Sequence, residues 1–192
     1  LSLLENWKGE VKNFFQPNTL KILTAYGDDL ARLRVPRAAI QQNLLAQGLN
    51  RFLKPNWCGD ADVVLTTYET LRDLQFSFAR ENWSLMICDE AQKIKTPGAE
   101  MTKAAKKQKV QFRIACTGTP VENSLTDLWS LFDFVQPGML GALNEFSRNF
   151  KRPIEAKTDE EKSKIEQLRA LIEPQILRRM KKDVAKELKS KI

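Results

Sequence analysis

Leu85-Met86-Ile87-Cys88-Asp89-Glu90 is the stretch on which the fold turns. Four apolar residues run without alternation into two carboxylates. A run lacking the period of two of a half-exposed strand predicts a strand covered on both faces. Val63-Val64-Leu65-Thr66-Thr67-Tyr68 lies before it, and Phe112-Arg113-Ile114-Ala115-Cys116-Thr117-Gly118-Thr119-Pro120 after it. Leu20–Tyr26 reads as a further strand, ended by Gly27 and two aspartates. The intervening segments have room for crossover helices, one over Thr70–Arg80 and one starting at Thr96-Pro97. Strands alternating with helices predict an open parallel α/β sheet. Such sheets bind ligands beyond the carboxyl ends of their strands. Thr66-Thr67, Asp89-Glu90 and Thr117-Gly118-Thr119 would all lie at that edge.

Other segments read as helix. Ser2 with Glu5 forms a capping-box pattern ahead of Leu3, Leu4, Trp7, Val11, Phe14 and Phe15, and Pro17 stops it. Arg37 to Leu53 places Ile40, Leu44, Leu45, Leu49, Phe52 and Leu53 at amphipathic spacing. After Pro120 strand signals cease. Helices are expected over Ser124–Val135, from the Thr158-x-x-Glu161 cap onward, and from Pro174 through Leu188. The expected organisation is an α/β part, 1–120, followed by a helical part, 121–192.

The 192 residues include no histidine. This excludes Ser-His-Asp and Cys-His catalysis and histidine metal ligands. Cys58, Cys88 and Cys116 form no CxxC pair, which disfavours a zinc site, and Cys88 and Cys116 end apolar runs, so buried reduced thiols are expected there. No apolar run approaches 18 residues, which excludes a membrane helix in this sequence. The net charge is +7, of which residues 151–192 hold +5. That favours a polyanionic partner only weakly, because many solvated domains are as basic.

Each chemical candidate has an ordinary alternative. Asp89-Glu90 could hold Mg²⁺ on phosphates and activate water, as acid pairs do in nucleotide hydrolases, or simply open a loop. With histidine absent, Glu90 is the natural base. Thr117-Gly118-Thr119-Pro120 could sense a nucleotide or make a turn. Thr66 and Thr67 could bond phosphate oxygens or favour the strand by propensity. Leu177-Arg178-Arg179-Met180-Lys181-Lys182 could face phosphates or solvent. Trp7, Trp57, Trp83 and Trp129 read as core.

In combination these motifs are specific. Asp89-Glu90-Ala91-Gln92-Lys93-Ile94-Lys95-Thr96-Pro97 resembles motif II of the Swi/Snf family of helicase-like ATPases, in helicase superfamily two. Thr117-Gly118-Thr119-Pro120-Val121-Glu122-Asn123-Ser124-Leu125, with Asp127-Leu128-Trp129-Ser130-Leu131-Phe132-Asp133-Phe134, resembles motif III and the block after it. Ser2-Leu3-Leu4-x-Asn6-Trp7-x-x-Glu10 is similar to motif Ia. Val63-Val64-Leu65-Thr66-Thr67-Tyr68-Glu69 is similar to the motif before motif II, and Leu177-Arg178-Arg179-x-Lys181-x-Asp183-Val184 to the late basic helix. Order and spacing agree along nearly the whole chain.

The resemblance implies a RecA-like P-loop NTPase lobe, incomplete at its N-terminus and followed by a helical extension. It implies ATP and Mg²⁺ as cofactors, with Asp89 supporting Mg²⁺ and Glu90 activating water. Gln92 would link the γ-phosphate to motif III, where many members carry histidine. Thr117, Gly118 and Thr119 would couple nucleotide state to lobe closure. Asn6, Thr66, Thr67, Arg178 and Arg179 would lie near double-stranded DNA. No GxxxxGK[ST] occurs in the sequence. The resemblance places that loop upstream and the second lobe, with its arginine finger, downstream, so this chain alone is expected to be inactive. It is also expected to self-associate through an exposed sheet edge. Residues 28–60 read as an insertion, most simply an added surface helix. The alternatives left open are a non-catalytic nucleic-acid-binding or scaffolding module, and an ATPase that remodels a nucleoprotein or polymerase complex. The Asp89-Glu90-Ala91-Gln92 form is more similar to bacterial or archaeal members, which favours an intracellular, cytoplasmic and nucleoid-associated setting, with the nucleus as the alternative for a eukaryotic source.

Overall fold

A computed structural model describes residues 2–17, 19–49, 51–118, 124–157 and 159–178. The chain forms two compact units, Leu1–Leu140 and Gly141–Ile192.

The first unit opens with α1 (Ser2–Phe14) and β1 (Ile22–Ala25). Gly27 takes a left-handed φ of 57°, a conformation that glycine adopts at no steric cost. There the chain reverses from β1 into α2 (Gly27–Leu33). After α3 (Gln42–Ala46) comes β2 (Val63–Thr66), parallel to β1 with Ile22 opposite Val63. Thr67 caps α4 (Tyr68–Asp73), its hydroxyl accepting from the Thr70 N–H at 3.1 Å. The backbone leaves the helical region at Leu74, so α5 (Gln75–Phe78) is separate where one helix was expected.

β3 (Asn82–Cys88) and β4 (Lys109–Ala115) pair in parallel, with Leu85 opposite Phe112 and Cys88 opposite Ala115. Between them a 3₁₀ turn, Ala91–Ile94, precedes α6 (Glu100–Lys106). Thus α6 starts three residues beyond Pro97, where the sequence predicted its first turn. α7 (Leu125–Val135) is capped by Ser124, whose hydroxyl accepts from the Thr126 N–H at 3.1 Å.

The α/β class and parallel pairing agree with the sequence. Among the described residues, hydrogen bonding divides the strands into two separate pairs, β1–β2 and β3–β4. The coverage of β3–β4 differs from expectation. Met86 and Cys88 pack toward the core, but Leu85, Ile87 and Phe112 are 47%, 42% and 63% exposed. The described elements cover only one face of this pair, so its apolar run does not mean burial on both sides. The core joins Ala25, Leu30, Leu71, Leu74, Phe78, Cys88, Ile94, Leu131 and Phe134. α7 thereby packs with the sheet through Leu131 and Phe134.

Residues 37–53 correct a second expectation. They form a 3₁₀ turn, Arg37–Ala39, and the five-residue α3, not one amphipathic helix. Ile40 is extended, and Gly48 takes a φ of 74°. The segment then returns beside α2, with Val35 N–H donating to Phe52 O and Lys54 N–H to Leu33 O, each at 2.9 Å. Leu53 and Trp57 are buried, and Trp57 meets Phe78 edge-on at 4.8 Å. Leu53 N–H donates to Ser77 Oγ at 2.9 Å. The insertion is therefore part of the core and not a surface addition.

The second unit contains α8 (Leu143–Phe146), a π turn Ser147–Lys151, α9 (Arg152–Glu155) and α10 (Glu161–Ile172). Among its described residues, Phe146 and Leu168 are buried. Thr158 lies outside the described residues. Pro174 sits in a 3₁₀ turn, Glu173–Gln175, and Ile176 is extended, so no helix restarts there within the described residues. Among the described residues no helix is long and apolar enough to cross a membrane.

Leu53→Ala is expected to destabilise the chain by about 2–5 kcal/mol in denaturant unfolding, the cost of emptying a buried leucine site. A loss below about 0.5 kcal/mol, the usual effect of a surface change, would return the insertion to the periphery.

Candidate active site

The β3–β4 register continues past both strand ends. Cys116 N–H donates to Cys88 O at 2.8 Å, and Ala91 N–H donates to Cys116 O at 2.9 Å. These bonds hold the segment 89–92 against the segment 116–117. Between them Glu90 takes φ 49°, ψ 48°. A left-handed glutamate is uncommon and costs on the order of 1 kcal/mol, and such strain gathers at functional sites.

Side chains join this turn in a relay. Thr117 Oγ1 donates to Gln92 Oε1 at 3.0 Å, and Gln92 Nε2 donates to Glu90 Oε2 at 2.6 Å. The amide acts as acceptor at one end and donor at the other without titrating. Asp89 is held separately. Its Oδ1 accepts from the Glu90 N–H at 2.9 Å, and its Oδ2 accepts from Trp7 Nε1 at 3.0 Å. The Tyr68 hydroxyl donates to the Asp89 carbonyl at 2.8 Å. Below the turn, Ser130 Oγ donates to Ile94 O at 3.1 Å, and Lys95 lies 3.7 Å from Asp127. α7 thus supports the 3₁₀ turn that follows the acid pair.

The structure brings together Asp89, Glu90, Gln92 and Thr117 from the predicted set. Gly118 follows and is exposed, and a Cβ built on it would meet nothing within 4 Å. Thr119 and Arg179 lie outside the described residues. Asn6 is exposed on α1, one residue before Trp7. Thr66 Oγ1 donates to Ala25 O at 3.0 Å, and Thr67 Oγ1 donates to Thr70 Oγ1 at 3.2 Å. A phosphate accepts hydrogen bonds, so contact with either threonine requires its hydroxyl to leave a present acceptor. Arg178 is exposed in the second unit.

Trp7 and Tyr68 were missed as members of the site. Trp7 reads as core because it lies on the apolar stripe of α1, and Tyr68 reads as the end of a strand. Their polar atoms reach Asp89 only through tertiary packing.

Burial pushes the Cys88 thiol up to about 11, against the opposing Tyr68 hydroxyl. Burial, and secondarily Asp89, raises Cys116. Burial likewise holds Tyr68 far above the usual phenol range, so its hydroxyl remains a donor. Among the described residues no group of three or more Cys, Asp or Glu forms a metal cage. Mg²⁺ needs none. It binds through one or two carboxylates together with substrate phosphates and water. Asp89 has two engaged lone-pair sites of about four, which fits that mode.

A family model described as the SNF2-related domain matches residues 1–192. The Zorya protein ZorD of Escherichia coli is 54% identical over 192 residues, covering 100% of this chain and 18% of that protein. The DNA repair and recombination protein RAD26 of Saccharomyces cerevisiae is 40% identical over 141 residues, covering 69% of this chain and 13% of that protein. Among solved structures, the SWI2/SNF2 ATPase core of Sulfolobus solfataricus in complex with dsDNA matches with a TM-score of 0.70 and 37% identity. It covers 96% of this chain and 33% of that one. The chain thus spans under a fifth of these curated relatives' length.

At pH 8 a thiol with a pKa of about 11 is thiolate about one time in a thousand, and thiolate is the reactive form. Thiol titration at pH 8 should therefore label Cys88 at least ~10²-fold more slowly in the native chain than in denaturant. Equal rates would mean that the β3 end is open to solvent.

Proposed function

The chain belongs to the SNF2-related domain family, and from that membership we propose that it is the catalytic-acid part of a DNA-dependent ATPase that moves on duplex DNA or remodels protein–DNA complexes. The observation that supports this most is the Thr117–Gln92–Glu90 relay at the carboxyl end of β3 and β4. It supplies what hydrolysis of a phosphoanhydride needs from this side of a site. Glu90 is the base that orients and deprotonates the attacking water. Gln92 connects that base to the loop carrying Thr117, Gly118 and Thr119, so a change at one is felt at the other. Asp89 holds Mg²⁺ through its remaining oxygen lone pairs, and the ion, when bound, neutralises charge on the phosphates. Glu90 and Gln92 keep the water side of the site aligned.

The DNA contacts proposed are Asn6 on α1, Thr66 and Thr67 at the end of β2, and Arg178 with Arg179. Contacts of this kind go largely to phosphates, which position the motor and leave sequence unread. Duplex DNA is the favoured partner, and a nucleoprotein or polymerase complex is the wider assembly on which the motor acts. The proposed setting is intracellular and nucleoid-associated.

In the full-length protein, Glu90→Gln is expected to lower ATP turnover by about 10²–10⁴-fold, the usual contribution of a positioned base. ATP binding, read by equilibrium fluorescence titration, should be retained. Retained turnover would refute the assignment. DNA stimulation should weaken steeply with salt, because phosphate contacts release counterions; salt-independent stimulation would point to a protein partner instead. The 192-residue chain, which contains no GxxxxGK[ST], should not turn over ATP. Its exposed Leu85, Ile87 and Phe112 should promote self-association, reduced in Phe112→Lys. Light scattering showing only monomer at rising concentration would overturn that.

A further inference from the structure

Asp89 is gripped from two sides by elements distant in sequence. Trp7 Nε1 on α1 donates to its carboxylate at 3.0 Å, across 82 residues. The Tyr68 hydroxyl, at the start of α4, donates to its backbone carbonyl at 2.8 Å. One bond fixes the side chain and the other fixes the peptide that aims it. The Glu90 N–H takes the second carboxylate oxygen. The two grips have a common relation to the residues proposed to face DNA. Trp7 directly follows Asn6, and Tyr68 directly follows Thr67. On a helix, adjacent residues point about 100° apart, so α1 presents Asn6 outward while Trp7 turns inward.

We infer that Trp7 and Tyr68 are positioning residues that set the Asp89 carboxylate for Mg²⁺ and transmit DNA engagement at Asn6 and Thr67 to it. This rests on the functional reading above. A displacement of α1 or of the β2–α4 corner by a bound duplex acts on Asp89 through one hydrogen bond each, with no intervening side chain. Outer partners of metal-ligating groups typically change metal affinity or activity by about 10–100-fold when removed. Trp7 is therefore more than a core residue. Its N–H orients the acid.

Two measurements test this. In the 192-residue chain, the Trp7 indole N–H resonance, identified by its loss in Trp7→Phe, should exchange slowly with water and shift in Asp89→Ala. An indole resonance that exchanges freely or ignores Asp89→Ala overturns the inference. In the full-length protein, Tyr68→Phe removes only a hydroxyl and Trp7→Phe removes the N–H. Each should raise the Mg²⁺ concentration for half-maximal hydrolysis about tenfold or more and lower DNA-stimulated kcat. The KM for DNA should stay within about twofold. Asn6→Ala should do the reverse, raising the KM for DNA and leaving the Mg²⁺ midpoint in place. Wild-type Mg²⁺ midpoints in both clamp variants overturn the inference. Failure of Glu90→Gln to abolish turnover would instead remove the functional reading, while the indole result would still stand or fall separately.

Discussion

The continuation of the β3–β4 ladder beyond the strands is the constraint on which the site depends. Two backbone bonds, Cys116 N–H to Cys88 O and Ala91 N–H to Cys116 O, are each worth only about 1 kcal/mol net. Their importance is geometric. They hold two loops side by side that would otherwise diverge, and everything placed on those loops follows. Asp89 can then be reached by Trp7 and Tyr68, and Gln92 lies between Glu90 and Thr117. The left-handed backbone at Glu90 is what this closure requires, since the chain must turn sharply to bring Ala91 N–H back to Cys116. Buried Ala91 and Ile94, and the Ser130 bond to Ile94, hold the strained turn from below. A short ladder, a strained residue and a supporting helix thus form one mechanical unit.

The absence of histidine gives this unit a particular character. A histidine between Glu90 and Thr117 would change its charge near neutral pH. Glutamine does not, so the connection from Thr117 to Glu90 keeps the same hydrogen-bond polarity across the physiological range. Tyr68 behaves alike, because burial keeps its hydroxyl protonated. The donors around the acid pair are therefore fixed by structure, not by protonation.

Much of this was legible from residue pattern. The apolar runs ending at Thr66, Cys88 and Cys116 identified strand ends, and parallel pairing put Asp89, Glu90 and Thr117 on one edge. Gln92 was singled out only by the resemblance of Asp89–Pro97 to motif II. Periodicity failed where apolar residues served separate turns. Leu45, Leu49 and Phe52 fall at i, i+4 and i+7, yet an extended Ile40 and a left-handed Gly48 break the path. Long-range polar contacts were illegible for another reason. Nothing local in Ser2–Phe14 distinguishes an indole that merely packs from one whose N–H meets a carboxylate across 82 residues. The exposed side of β3–β4 was hidden as well, since Leu85, Ile87 and Phe112 are apolar whether or not something covers them.

Gln92 also bears on how the proposed base is readied. Its amide nitrogen carries two hydrogens. One is donated to Glu90 Oε2, and no protein acceptor for the other is found among the described residues. An amide so placed can bridge the base and an anionic ligand together, without giving up either. Charge on such a ligand polarises the amide and strengthens its grip on both neighbours. The Thr117 hydroxyl, donating into the same amide from the other side, reinforces that polarisation. Binding of an anion beside Gln92 would then tighten the whole path from Thr117 to Glu90, whereas its departure would loosen it. Under the proposed function, a phosphate bound there would be registered in the alignment of Glu90.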